Sequence, residues 1–171
     1  MHTRLYAKCN SRVKRLYSRS EADRQLTKSV DEWIEMSEKQ YGLHALVVED
    51  ERICALIMLE VFRMLGISAT IVKSAPEALS VLESSRVDLI TLDIRIEGDM
   101  DGWELAAKIR DSGQCYASVP IVAVTTCCFA DDFERSSALG IDRHVAKPFH
   151  IDQMKKVITQ LLDEPTVVKD L

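Results

Sequence analysis

Glu49 and Asp50, Asp93, Thr125 and Lys147 stand at or just past the ends of four short apolar runs, Leu43–Val48, Val87–Leu92, Pro120–Val124 and Ile141–Ala146. A polar group that follows a buried strand emerges where the edge of a sheet opens, so four such strands side by side deliver all five groups to one edge. Counted from Asp50, the successive separations are 43, 32 and 22 residues, room each time for helices and strands between. Three carboxylates brought within a few ångströms repel one another by roughly 4 kcal/mol per pair at 4 Å and an effective dielectric near 20. Such a cluster holds protons or holds a cation. Oxygen donors with no His or Cys among them suit a hard divalent ion, and Mg²⁺ prefers one or two carboxylates, several waters and a substrate phosphate. A carboxylate left over can attack phosphorus and form an acyl phosphate, with an ammonium and a hydroxyl to meet the charge.

The elements that must position these groups read as alternating strands and helices. Leu43–Val48 is followed by a helical segment to Leu65, with Gly66 as its stop. A second strand fits Ala69–Lys73, then a helix from Pro76 to about Ser84. Val87–Leu92 leads through a Gly- and Asp-rich loop, Glu97–Gly102, into a helix over Trp103–Arg110. Pro120–Val124, a helix over Asp131–Leu139 and Ile141–Ala146 follow. A last helix carries Met154, Val157, Ile158, Leu161 and Leu162 on one face. Five β-α units without a repeat predict an α/β fold with a doubly wound, five-stranded parallel sheet.

Composition narrows the classes further. The chain has 171 residues, 47% of them apolar, enough for one packed core. No apolar run is long enough to cross a bilayer, and Met1–Arg19 lacks the continuous apolar stretch of a signal peptide, so a cytoplasmic protein is expected. The five cysteines (Cys9, Cys54, Cys115, Cys127, Cys128) show no metal-ligand spacing and read as free thiols in a reducing compartment. The net charge of −5 is uneven: before His44 there are 9 Lys/Arg against 6 Asp/Glu, and from His44 onward 13 against 21. An acidic main body argues against direct nucleic-acid binding by that body.

Residues 1–43 differ in kind. Ser20-Glu21-Ala22-Asp23 resembles a capping box, and Leu26, Val30, Trp33 and Ile34 then share one helical side. Upstream, Leu5, Cys9, Val13, Leu16 and Tyr17 form a weaker basic stripe. The pattern predicts an N-terminal extension of one or two amphipathic helices over 1–43, a main domain over 44–162 and a short tail over 163–171.

Taken together, Ala45-Leu-Val-Val-Glu49-Asp50-Glu51, Asp88-Leu-Ile-Thr-Leu-Asp93, Met100-Asp-Gly-Trp-Glu-Leu105, Pro120-Ile-Val-Ala-Val-Thr125 and Val145-Ala-Lys147-Pro148-Phe149 resemble the receiver domain of bacterial two-component response regulators. The resemblance covers about His44 to Leu162. It implies a flavodoxin-like sheet of order 2-1-3-4-5 and Mg²⁺ held through Asp50, Asp93 and the backbone carbonyl of Arg95, with Glu49 helping largely through water. It implies Asp93 as phosphoacceptor, Thr125 and Lys147 as contacts to the phosphoryl group, and a cis Lys147–Pro148 peptide. Thr125 and His144 would form the switch, His144 standing where the family usually has an aromatic that moves inward on activation. The start of the helix after Asp50 would help dock a histidine-bearing partner.

Three departures stand out: Glu97 replaces the usual proline four residues after Asp93, and the loop before Met100 is one residue longer; His144 replaces the aromatic; Thr126 replaces a small residue. Arg95 and Cys127 occupy positions that in the family tune phosphoryl lifetime, and a long Arg95 side chain is expected to screen the acyl phosphate from water. The helix after Asp50 is too apolar to bury all round, and Cys54, Ile57 and Val61 are expected to face outward.

The function expected from all this is a single-domain response regulator, not an enzyme in the usual sense. It would take a phosphoryl group from a histidine kinase or phosphotransfer protein, promote its own phosphorylation and slow dephosphorylation, and signal through a downstream protein target. A receiver detached from a hybrid kinase fits the residues equally well. A phosphate-independent pseudo-receiver fits less well, because the acid set is intact. A phosphatase or mutase with an aspartyl nucleophile would want a second acid two residues on, where Arg95 stands.

Overall fold

Five parallel strands form one sheet in the order β2-β1-β3-β4-β5. The computed structural model describes residues 42–126 and 130–163. In chain order the elements are β1 (His44–Val48), α1 (Arg52–Leu65), β2 (Ser68–Val72), α2 (Ala75–Ser84), β3 (Leu89–Leu92), α3 (Gly102–Arg110), a 3₁₀ turn (Cys115–Ser118), β4 (Ile121–Thr125), α4 (Ala130–Ala138), β5 (Arg143–Ala146) and α5 (Ile151–Asp163). The doubly wound sheet and its order agree with the expectation. The predicted helices before Gly42, Cys127 and Cys128, and the tail after Asp163 lie outside the described residues.

The sheet is sandwiched between two apolar layers because successive strand side chains alternate faces. Leu46, Val48, Ile90, Leu92 and Ala123 face α2 and α3, where Ala78, Val81, Leu105 and Ile109 meet them. Ala45, Val47, Leu89, Val122 and Val145 face α1 and α5, where Met58, Phe62, Met154 and Ile158 close the layer. Strands buried on both sides must be continuously apolar, which is how they read.

Local chemistry ends the helices where expected. Gly66 adopts the left-handed conformation at φ 68°, and its N–H and that of Ile67 return to the carbonyls of Arg63 and Phe62 at 3.1 and 3.0 Å. α3 opens on a capping box: Asp101 accepts from Glu104 N–H at 2.8 Å, and Glu104 accepts from Asp101 N–H at 3.0 Å.

One expectation about α1 is corrected. Val61 is fully buried and packs beside Phe62 and Met58, and Cys54 is half-buried, so of the expected trio Ile57 alone is exposed. The outward stripe runs instead through Ile53, Ile57 and Met64. The helix is rotated so that 55, 58, 59, 61 and 62 share its inner face, the widest apolar arc available. Strands β3 and β5 each begin two residues later than read, because Asp88 and Asp142 turn their carboxylates to the neighbouring backbone N–H of His44 and Ile121.

Candidate phosphoacceptor and cation site

The last rungs of the ladder fix the site residues. Asp93 N–H donates to Val48 O at 2.9 Å, Glu49 N–H to Val72 O at 2.9 Å, and Lys147 N–H to Thr125 O at 2.8 Å. The backbones of the charged groups are therefore held by the sheet itself.

Carboxylate oxygens of Glu49, Asp50 and Asp93 all lie within 4.8 Å of one another. Glu49 is buried, Asp50 half-buried and Asp93 8% exposed, so Asp93 is nearly enclosed yet reachable. Lys147 comes from β5's end and places Nζ 2.6 Å from Glu49 Oε2 and 2.6 Å from Asp93 Oδ2. The remaining oxygens are also engaged: Glu49 Oε1 accepts from Glu51 N–H at 3.3 Å, and Asp93 Oδ1 from Arg95 N–H at 2.9 Å.

Three carboxylates facing one ammonium leave the cluster short of positive charge. Burial pushes the Glu49 carboxyl up to about 7, against the pull of Lys147 and with the help of Asp93. Burial alone would lower Lys147; its hydrogen bonds to Asp93 and Glu49 outweigh that and hold it above the ordinary lysine range. A cluster of carboxylates in which burial raises one toward neutrality is one a hard divalent ion relieves. The donor set, all oxygen around Glu49, Asp50 and Asp93, fits such an ion.

Of the other residues singled out in the sequence, Thr125 is fully buried at the end of β4, where Ala146 is its register partner. Arg95 is exposed, and its guanidinium donates to the Thr126 hydroxyl, linking the loops after β3 and β4 across the mouth. His144 is half-buried: Nδ1 lies 3.0 Å from Ser136 Oγ, and its ring centroid 4.8 Å from that of Phe133 and 6.3 Å from that of Trp103. Lys147–Pro148 is cis. The longer loop after Asp93 leans toward β2, with Glu97 bridging Ser74 in parallel register.

Two features were not read from the sequence. Gly102 sits inside one of the sequence motifs without a role; a Cβ there would lie 2.5 Å from Asp93 O and 2.6 Å from Ile94 Cα, so only glycine lets α3 start against the loop after Asp93. Glu51 and Cys54 form a second grouping with Glu49, all within 4.8 Å. The Cys54 thiol is 3.3 Å from Glu51 Oε2, and burial pushes it up to about 11, away from thiolate chemistry.

Known proteins resemble this chain. The Bacillus subtilis sporulation initiation phosphotransferase F is 28% identical over 117 residues, which are 68% of this chain and 91% of that protein. The Escherichia coli sensor histidine kinase RcsC is 28% identical over 114 residues, 67% of this chain and 12% of the kinase. The chain therefore spans only about an eighth of the sensor kinases it matches. Among solved structures, the receiver domain of the Pseudomonas aeruginosa sensor histidine kinase PA1611, which has a magnesium ion coordinated in its active-site cleft, superposes at TM-score 0.63 with 27% identity over 70% of this chain and 97% of that one. A CheY-like receiver from Methanospirillum hungatei reaches 0.65 with 24% identity over 71% and 94%. Residues 45–159 match the response regulator receiver domain family, and the chain belongs to it.

Proposed function

We propose that this receiver domain is a phosphorylation switch with Asp93 as its acceptor. The reading rests above all on Lys147 bridging Asp93 and Glu49 beside Asp50, an acidic pocket short of positive charge at a sheet edge. The donor is a phosphohistidine on a histidine kinase or phosphotransfer protein. An Asp93 oxygen attacks phosphorus in line; the O–P bond forms as the P–N bond breaks, and the electron pair leaves with the imidazole. Glu49, Asp50, Asp93 and the backbone carbonyl of Arg95 would hold Mg²⁺, which when bound neutralises charge on the phosphoryl oxygens. Lys147 shifts its ammonium from the Asp93 carboxylate to the phosphoryl group, and the Thr125 hydroxyl donates a hydrogen bond to it.

The product carries roughly −1.5 to −2 charge, by analogy with other phosphorylated side chains. Thr125 and Lys147 move to meet it, and the neighbouring His144, between Ser136 and Phe133, shifts the face formed by α4 and β5. That face then contacts a downstream protein. Arg95, tied to Thr126 over the mouth, slows attack by water on the acyl phosphate. The likeness to RcsC also supports a second reading, in which this receiver serves a larger kinase; a relay partner that takes the phosphoryl group back onto histidine would favour it.

Incubation with acetyl phosphate and Mg²⁺ followed by intact mass tests the acceptor. One phosphoryl group is expected on the parent and none on Asp93→Asn. Equal labelling of the two would end the proposal.

A further inference from the structure

Two adjacent residues of α4 reach to different elements. Ser136 Oγ lies 3.0 Å from His144 Nδ1 on β5. The Arg135 guanidinium lies over the Trp103 ring of α3, its carbon 4.9 Å from the ring centroid. The first contact belongs with His144; the second involves neither His144 nor Thr125. Within about 6 Å of an indole face, a guanidinium is attracted by the negative charge of the ring's π-system.

Trp103 is the second residue of α3, and the start of α3 is built onto the loop after Asp93. Gly102 has no room for a Cβ, which would lie 2.5 Å from Asp93 O. Its N–H donates to Ile94 O at 2.9 Å, while Arg95 N–H donates to Asp93 Oδ1 at 2.9 Å. Both ends of the loop are thus tied at Asp93, one to its carboxylate and one against its carbonyl. The chain passes directly from Gly102 to Trp103, which is 5% exposed and belongs to the same apolar layer as Leu105, Ile109 and Ala123. A large ring held by close packing moves with the helix start rather than by turning alone. A change at Asp93 Oδ1 therefore has a path to α4 that bypasses Thr125 and His144.

We propose that the Trp103–Arg135 contact is a latch between α3 and α4 that phosphorylation of Asp93 opens. It is closed while both Asp93 oxygens are taken, Oδ1 by Arg95 N–H and Oδ2 by Lys147 Nζ. Transfer to Asp93 turns that carboxylate into an acyl phosphate and removes the charge those donors meet. The loop resettles, the start of α3 follows, and Trp103 draws away from a guanidinium carried by another helix. Of these two contacts α4 then keeps only the one from Ser136, and it is free to shift against β5. The latch rests on Asp93 being the acceptor. By linkage, a contact made in one state alone opposes the other state by its own strength, so cutting it favours the phosphorylated form by the same factor.

The test uses the full chain carrying Trp33→Phe, which leaves Trp103 as its one tryptophan. Beryllofluoride with Mg²⁺ serves as a stable phosphoryl mimic, and its binding is followed by calorimetry and by Trp103 emission. Binding should change the emission, and adding Asp93→Asn should abolish both the heat and the change. Arg135→Ala should bind the mimic about two- to fivefold more tightly, the factor that one exposed cation–π contact is worth. Arg135→Lys, which keeps a cation over the ring, should stay near the parent. An Arg135 that only braces the fold would lower the thermal midpoint on removal and leave the affinity where it was. That result, weaker binding by Arg135→Ala, or an emission blind to the mimic overturns the latch. A parent that neither binds the mimic nor gains a phosphoryl group from acetyl phosphate refutes the acceptor reading itself, and the latch falls with it.

Discussion

At the amino end of the sheet His44, Asp88, Arg110 and Asp142 are each tied to a neighbour's backbone or side chain; at the carboxyl end Glu49, Asp50 and Asp93 crowd together, with the Lys147 ammonium bridging Glu49 and Asp93. Arg110 donates to the carbonyls of Gly140, Ala117 and Val119 at 3.0, 2.7 and 2.9 Å and to Asp142 Oδ2 at 3.1 Å. Asp142 Oδ2 also accepts from Ile121 N–H at 2.7 Å, closing β4 against β5. His44 places Nδ1 2.7 Å from Ser68 Oγ and Nε2 3.0 Å from Thr70 Oγ1. Polar groups matched to partners hold strands together. Charges left unmatched cost stability and, on the proposed reading, serve a cation and a phosphoryl group.

The sharpest way to break this contrast is to neutralise the crowded end. Asp50→Asn should weaken Mg²⁺ binding by 100-fold or more, since one charge at 4 Å is worth about 4 kcal/mol at an effective dielectric of 20. The same change should leave the thermal midpoint unchanged or raise it, because it relieves repulsion. Titration calorimetry with Mg²⁺ and a melting curve check both halves. A large fall in the midpoint would mean that the carboxylates brace the fold.

Arg110→Ala attacks the other end. It removes the donor to three carbonyls and one of the two donors to Asp142 Oδ2, and a hydrogen bond to a charged group contributes about 1.5–3 kcal/mol. A loss of about 3 kcal/mol in urea unfolding is expected, with Mg²⁺ affinity of the folded protein intact. Reduced affinity at equal folding would show that the two ends are coupled through β4 and β5.

The strands, their alternation with helices and the convergence of Glu49, Asp50, Asp93 and Lys147 were legible because each charge directly follows an apolar run, and a buried strand can release charge only at its end. Arg110 gave no such signal: it closes α3, and its partners at 117, 119, 140 and 142 come together only in three dimensions. His44 lay inside the first run without a role, whereas Ser68 and Thr70 on β2 make it a buried hub. Val61 was misplaced because a helix apolar on every side does not declare which arc faces inward; only the packing of Met58 and Phe62 decides it. The outer stripe of α1 is the residue of that choice.

Acid should separate the two ends by sign. Burial pushes His44 down to about 4, with Asp88 opposing, so the unfolded chain takes up protons between about 6.5 and 4 that the folded one refuses. Stability from this group is complete above 6.5 and is lost as pH falls through the window. Glu49, raised to about 7, acts oppositely and favours folding more as pH drops from 7 toward 4.5. Between pH 7 and 5 the His44 contribution is on the order of 2 kcal/mol. His44→Asn should therefore lose less stability than the parent over that range in urea titrations. Identical pH slopes would mean that His44 is protonated in the fold.

Thr91 lies between the two ends and offers the finest test. It is 2% exposed in the central strand, its register partners are Val47 and Val122, and its Oγ1 has no hydrogen-bond partner among the described residues. Both flanking valines belong to the layer under α1 and α5, so the hydroxyl sits in an apolar wall. If polar groups in this sheet are either matched for stability or left open for the site, Thr91 does neither. Valine has nearly the same shape and removes the unpaired hydroxyl, so Thr91→Val should stabilise the protein by about 1 kcal/mol. Phosphorylation by acetyl phosphate should proceed at the parent's rate. Should the variant instead slow phosphorylation at unchanged stability, the influence of the acidic pocket extends at least two residues down β3 from Asp93, and the boundary between the two ends must be drawn nearer the middle of the strand.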